Sequence, residues 1–154
     1  MDSLKQQLMA EFRLGRHSAH FADHWERVER YGVYLAAHSG ADVELVRLFA
    51  IIHDSQRRYE GPDPEHGPRA AHFVQHLDWP LDPQRRQALM LACHDHEFGK
   101  TSSDTTIGAC WDADRLDLDR VGITTDLDRM STEMGRKLAL CRPLDRQQKA
   151  NSVS

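Results

Sequence analysis

Three segments of the 154-residue chain place ionisable side chains on otherwise apolar helical stripes. Residues three, four and seven apart share one face of a helix. His24 aligns with Val28, Tyr31 and Leu35. His53 aligns with Val46, Phe49 and Ala50. Asp114 aligns with Ile107, Leu118, Val121 and either Cys110 or Trp111. Such stripes face a core, where a carboxylate is costly unless it is paired or bound to a cation. Asp54 directly follows His53. Two histidines and two carboxylates drawn from three helices can satisfy one another through a divalent ion. Mixed nitrogen and oxygen donors suit Mn, Fe, Co, Ni or Zn, not the all-oxygen cage of Ca. A plainer reading exists for each piece. A stripe histidine can be a core residue bonded to a backbone carbonyl. His53-Asp54 can be a cation at a helix C-terminus beside a solvated carboxylate. Asp112, Asp114 and Asp117 can form one charged face. That reading must hold three times over, which favours the metal.

The composition narrows the chemistry further. Ten histidines make metal or acid–base work worth pursuing. The three cysteines, Cys93, Cys110 and Cys141, are odd in number and lack a C-x-x-C. That argues against both a thiolate zinc site and a disulfide framework. A net charge of -4 provides no basic excess for a nucleic acid polymer. A small phosphorylated substrate needs only a few local arginines. No apolar run approaches the roughly 20 residues that span a bilayer, and the first twenty residues lack the apolar core of a secretory signal. The expected location is cytoplasmic, with no membrane association. The Gly-rich phosphate loops and the G-x-S-x-G elbow are missing. His17, His20 and His24, or His94 and His96, offer separate zinc spacings, but no histidine pair carries the glutamate of H-E-x-x-H.

The elements that must position these residues read as helices almost throughout. One helix is expected over residues 3 to 14. A long one starts near Ser18 and stops before Gly40. Asp42 caps the next, which ends in His53-Asp54. A polar loop follows, SQRRYEGPDPE, long enough to carry function. Helix returns over His66–Leu77, breaks at Trp79–Pro83 and resumes over Gln84–His96. A loop spans residues 97 to 104, and a helix runs from Thr105 to Asp119. Ser131 is expected to cap a last helix. No strand pattern is present. The fold class is all-α, a single bundle of about six or seven helices, with one domain over 1–142 and a polar, frayed tail over 143–154.

The order His…His-Asp…Asp on helices resembles the HD superfamily of metal-dependent phosphohydrolases. His24 lies in H-W-E-R-V, similar to a first motif in which a histidine precedes Arg-Val by three residues. His53-Asp54 closes LVRLFAII, similar to the apolar helix that ends in the name-giving pair. Asp114 lies in D-A-D-R-L-D, similar to the closing Ala-Asp motif. The likeness runs over residues 20 to about 123. The segments DPEHGPRAA and CWDADRLDLDRVGI also look like a bacterial subgroup with no assigned substrate.

The resemblance implies an HD-domain-like helical fold with the metal at its centre, held by His24, His53, Asp54 and Asp114. Asp54 bridges if a second ion is present. His66, with His94 or His96, matches the extra ligands of two-metal members, and His20 stands where it could orient or join the site. One or two divalent ions are therefore expected. Some single-metal nucleotidases of the superfamily carry a glutamate three residues after the pair; here that residue is Arg57. The proton donor is then Glu60, Glu65 or His66, with Glu65 and His66 preferred. Asp54 would orient the attacking water or take its proton. Arg57, Arg58, Lys100 and Arg115 would hold a phosphate, since the guanidinium fork matches its oxygens. The expected reaction is hydrolysis of a nucleotide or another small phosphorylated metabolite. The alternatives are a di-iron oxygenase of the same superfamily, an inactive protein that binds a metal or ligand, and a helical protein with no metal. Nothing in the sequence sets the oligomeric state.

Overall fold

The computed structural model describes residues 1–141. The tail expected over 143–154 lies outside the described residues. Six helices run in order: α1 (Asp2–Glu11), α2 (Ala22–Ser39), α3 (Val43–Ile52), α4 (His66–His76), α5 (Pro83–Asp95) and α6 (Thr105–Arg115). Short 3-10 turns follow at Leu118–Val121 and Leu127–Arg129, and α7 covers 133–141. No strand occurs among the described residues. The chain is all-α, as its periodicity predicts.

α3 is the centre of the bundle. Its sequence, VELVRLFAII, is apolar on nearly every face, and seven of its ten residues are buried. A helix apolar all round must be covered on all sides. α2, α5 and α6 pack against it, and α1 touches it as well. Asp42 caps α3 by accepting from the Leu45 N–H at 3.1 Å, and both of its oxygens also hold Arg85 of α5. Trp25, Leu35, Leu48, Phe49, Ile51, Leu116 and Met130 fill the core with almost no exposure. Truncating one such side chain, as in Leu48→Ala, costs about 2–5 kcal/mol.

Two glycines set helix spacing around the future site. A Cβ on Gly32 of α2 would lie 2.2 Å from Val46 Cγ1, so α2 and α3 approach closely there. A Cβ on Gly67 would lie 2.6 Å from the His94 carbonyl oxygen, so α4 and α5 nearly touch.

The structure corrects several expected boundaries. α1 stops at Glu11 and α2 starts at Ala22, not near Ser18. Phe12 and Phe21 stack at 5.2 Å against Trp25, so the intervening segment is pinned as a loop. Pro83 opens α5 as its first residue, with Asp82 accepting from the Arg85 N–H at 2.9 Å. This is the position where proline's missing N–H costs nothing. α6 ends at Arg115, and the chain continues in 3-10 form. Thr132 caps α7, not Ser131: its hydroxyl accepts from the Gly135 N–H at 2.9 Å. Ser131 and Thr132 both donate backbone N–H groups to Asp112, at 2.7 Å each. Asp112 thereby ties α7 to α6 and is turned away from the other acids.

Candidate metal centre

His24 sits in the first turn of α2, His53 is the C-terminal cap of α3, and Asp114 is one residue from the end of α6. Three apolar stripes facing one core thus bring their single polar members to one point. His24 Nε2 lies 3.1 Å from His53 Nε2 and 3.3 Å from Asp114 Oδ1. His53 Nε2 lies 3.5 Å from the same oxygen. Asp54 Oδ2 completes the group, 3.5 Å from His24 Nε2 and 3.8 Å from His53 Nε2.

The tautomers follow from the outer ring nitrogens. His24 Nδ1 donates to Asp117 Oδ2 at 2.7 Å. His53 Nδ1 donates to the carbonyls of Phe49 and Ala50 at 3.1 and 3.2 Å. Each Nε2 then presents a lone pair, and the two lone pairs face each other with two carboxylate oxygens beside them. Donors bound at about 2.1 Å around a tetrahedral ion stand about 3.4 Å apart. His24, His53 and Asp114 bring three donor atoms close enough together to hold one divalent ion, and His53, Asp54 and His96 form a second such group beside them.

The arrangement repeats on the other oxygen of Asp54. His66 Nε2 lies 2.8 Å from His96 Nε2. Their distances to Asp54 Oδ1 are 3.1 and 3.6 Å. Their Nδ1 atoms donate to the carbonyls of Asp63 and Cys93, at 2.5 and 2.7 Å. Asp63 fixes the preceding loop, accepting from the Arg58 N–H and from Arg69. Asp54 therefore has one oxygen toward each histidine pair. Burial alone would raise its carboxyl; His53, His20, His66 and His96 together hold it well below the usual range. Asp114 behaves alike, with burial outweighed by His24 and His53. Burial lowers the His24 imidazole, and Asp114 and Asp117 outweigh it, leaving it raised. His53, deeper and without a carboxylate on Nδ1, is lowered by burial.

His20, in the loop before α2, points Nδ1 at Asp54 Oδ2 at 2.8 Å and Nε2 at the Glu60 carbonyl at 3.2 Å. Arg57 Nε donates to Asp54 Oδ1 at 3.0 Å. A cavity of about 310 Å³ opens over this floor, with Asp54, Arg57, His96, Glu97 and Asp114 on its lining.

Other residues singled out in the sequence stand apart. His94 is half exposed and pairs with Asp95 at 2.6 Å, away from the cluster. Arg58 lines a separate depression with Gln56, Pro68 and Arg69. Glu65 is exposed at the start of α4. Glu60 is exposed and accepts from the Ala19 N–H at 2.9 Å. Lys100 is exposed, and its carbonyl accepts from Arg115. Arg115 reaches the cavity wall, but its guanidinium is committed to the carbonyls of His96, Gly99, Lys100 and Arg129. It also stacks over Trp111. Burial and the neighbouring Arg129 lower it to about 10.

Three site residues were not assigned a role from the sequence. Asp117 orients His24; its spacing of three from Asp114 was a usable signal. Glu97 falls in what reads as a polar loop, yet it lines the cavity. Its Oε2 is buried 3.3 Å from His66 Nδ1, whose N–H goes to Asp63, and so receives no hydrogen bond among the described residues. Arg120 projects from the 3-10 turn to within 3.9 Å of Asp54 Oδ2.

No family model matches the chain, and the sequence of no curated protein matches it. The fold is similar to that of a predicted HD superfamily hydrolase from an uncultured Thermotogales bacterium, known from its crystal structure. The TM-score is 0.79 at 22% identity, over 99% of this chain and 90% of that one. The fold is therefore HD-domain-like, as the motif order implies. No helix of the described residues is long and apolar enough to cross a membrane.

Proposed function

We propose that this chain is a metal-dependent phosphohydrolase acting on a nucleotide or another small phosphorylated metabolite. The observation that carries the reading is the pair of opposed histidine couples, His24/His53 and His66/His96, one on each oxygen of Asp54 beneath a cavity. His24, His53, Asp54 and Asp114 would hold one divalent ion of the Mn, Fe, Co, Ni or Zn group, and His66 and His96 with Asp54 a second. When bound, such an ion supplies Lewis acidity to a phosphoryl oxygen and makes hydroxide available near neutral pH.

The chain's own groups divide the remaining work. Asp117 keeps the His24 proton on Nδ1 and its lone pair inward. Asp54 orients water at the cavity floor. Arg57 meets phosphate oxygens at the wall. Glu97, which lines the cavity where Glu65 and Glu60 do not, would hand a proton to a leaving oxygen, with His66 behind it.

The test is hydrolysis of a panel of phosphomonoesters and nucleotides by protein loaded in turn with Mn, Fe, Co, Ni and Zn. Release of phosphate by wild type and not by H53A/D54A is expected. No release with any metal contradicts the reading. The second histidine couple also keeps a di-iron oxygenase in view; substrate-dependent oxygen uptake by the iron-loaded protein distinguishes it.

A further inference from the structure

The lining of the cavity mixes two chemistries: the guanidinium groups of Arg57 and Arg120, and the apolar side chains of Leu118, Val121 and Ile123. Local geometry explains the apolar part. In a 3-10 turn residues three apart eclipse, so Leu118 and Val121 share a face. Gly122 follows with φ +77°, and the Ile123 N–H returns to the Leu118 carbonyl at 3.2 Å. That reversal carries Ile123 back to the cavity. Val121 and Ile123 are 43% and 52% exposed. Single exposed apolar residues are ordinary, but three that line one charged cavity offer it a contact surface.

Arg120 is held for a purpose beyond the fold. Its Nε donates to the Ala19 carbonyl at 2.9 Å and its Nη1 to the Asp117 carbonyl at 3.2 Å. Nη2 is left facing His20 Nδ1 at 3.4 Å and Asp54 Oδ2 at 3.9 Å. His20 Nδ1 already donates its hydrogen to Asp54 at 2.8 Å, so it offers Arg120 no lone pair. The outer edge of this nearly buried guanidinium therefore has no close acceptor among the described residues. Arg57 is anchored in the same way, through Nε to Asp54 and Nη1 to the Gly61 carbonyl at 3.2 Å. Two guanidinium groups thus flank Asp54, one beside each oxygen, with their remaining edges toward the cavity.

Resting on the phosphohydrolase reading, we propose that Arg120 acts with Arg57 as an anion clamp and that Leu118, Val121 and Ile123 select a phosphate ester whose organic part is a flat, apolar ring. The apolar part of the lining distinguishes such a substrate from a phosphorylated polyol, whose hydroxyls would meet no partner at Leu118, Val121 and Ile123. A cavity of about 310 Å³ accommodates a phosphate and one ring.

The experiment is calorimetric titration of the Mn-loaded protein with phenylphosphonate and with 2-hydroxyethylphosphonate, which cannot be hydrolysed. Wild type is expected to bind the phenyl compound about tenfold more tightly. V121S/I123S should abolish that preference while leaving hydroxyethyl binding unchanged; both side chains are exposed, so the variant keeps the fold. R120A should weaken both ligands about tenfold or more. R120Q, which retains a donor toward Ala19, serves if R120A is unstable. Equal affinities in wild type, or affinities indifferent to these variants, overturn the proposal. Phenyl phosphate hydrolysis is measured in parallel. Tight binding that depends on Arg120 without hydrolysis retains the clamp and removes the hydrolase reading. Hydrolysis with binding indifferent to Arg120 does the reverse.

Discussion

His24 Nδ1 lies 2.7 Å from Asp117 Oδ2, and the other oxygen of Asp117 accepts from Arg27 Nε at 2.8 Å. Burial raises the Asp117 carboxyl, but His24 and Arg27 outweigh it and hold it below the ordinary range. A charged carboxylate behind an imidazole fixes its tautomer and strengthens its opposite nitrogen as a ligand. Asp117→Asn keeps the shape and removes the charge. Metal affinity, measured by competition with a chelator, should fall about 10–100-fold. Unchanged affinity would contradict the role given to the Asp117 charge.

Gly67 permits the contact on which the second histidine couple depends. Gly67→Ala places a Cβ against the carbonyls of His94 and Cys93. Backbone cannot yield as a side-chain end can, so α4 must move from α5 and carry His66 from His96. The expected cost is about 1–3 kcal/mol of stability. The sharper readout is stoichiometry: where wild type binds two ions, the variant should bind one. Two ions in both proteins would contradict the assignment of His66 and His96.

Arg85 gives the fold an acid-sensitive tie remote from the cluster. It bridges Asp42 and Glu44. Asp42 is held below its ordinary value by Arg85, and Glu44 by Trp79 and then Arg85. Carboxyls depressed in the folded state contribute stability above their unfolded values, and that contribution disappears as pH falls through the folded ones. Denaturation of wild type and Arg85→Ala should therefore differ most near pH 6, and the gap should close below about pH 4. These groups are partly exposed, so the ion-pair part of the gap is under about 1 kcal/mol. A gap that widens in acid would contradict the sign.

Arg57 and Arg58 are neighbours with different surroundings. Arg57 is buried on the cavity wall, while Arg58 lines another depression. Arg57→Ala should raise KM for a phosphoester about tenfold or more, and Arg58→Ala should leave it unchanged. Equal effects would place the phosphate elsewhere.

The helical class and the meeting of His24, His53 and Asp114 were legible because each is a property of one periodic stripe, and Asp54 follows His53 directly. Gly40 ends α2 with φ +77°, as its position promised. His96 over His94 was also within reach, since His96 continues the buried line of Leu89 and Cys93 while His94 leaves it. Other features depend on contacts between segments distant in sequence. The true start of α2 follows from Phe12 and Phe21 packing on Trp25. Thr132 caps α7 because its hydroxyl, donating to Asp112, is left to accept from the Gly135 N–H, while the Ser131 hydroxyl is taken by the Ser102 N–H. Arg120 and Glu97 occupy segments with no helical period, so their direction is set only by the neighbours they meet. Arg115 shows the converse: a cationic residue near the site reads as a phosphate ligand until its carbonyl partners are known.

The most direct test of the metal centre is ions per chain by elemental analysis, after loading with Mn, Co or Ni, for wild type and for H53A/D54A. One or two ions are expected in the wild-type protein and almost none in the double variant. Equal metal in both proteins, or none in wild type after loading, would contradict it.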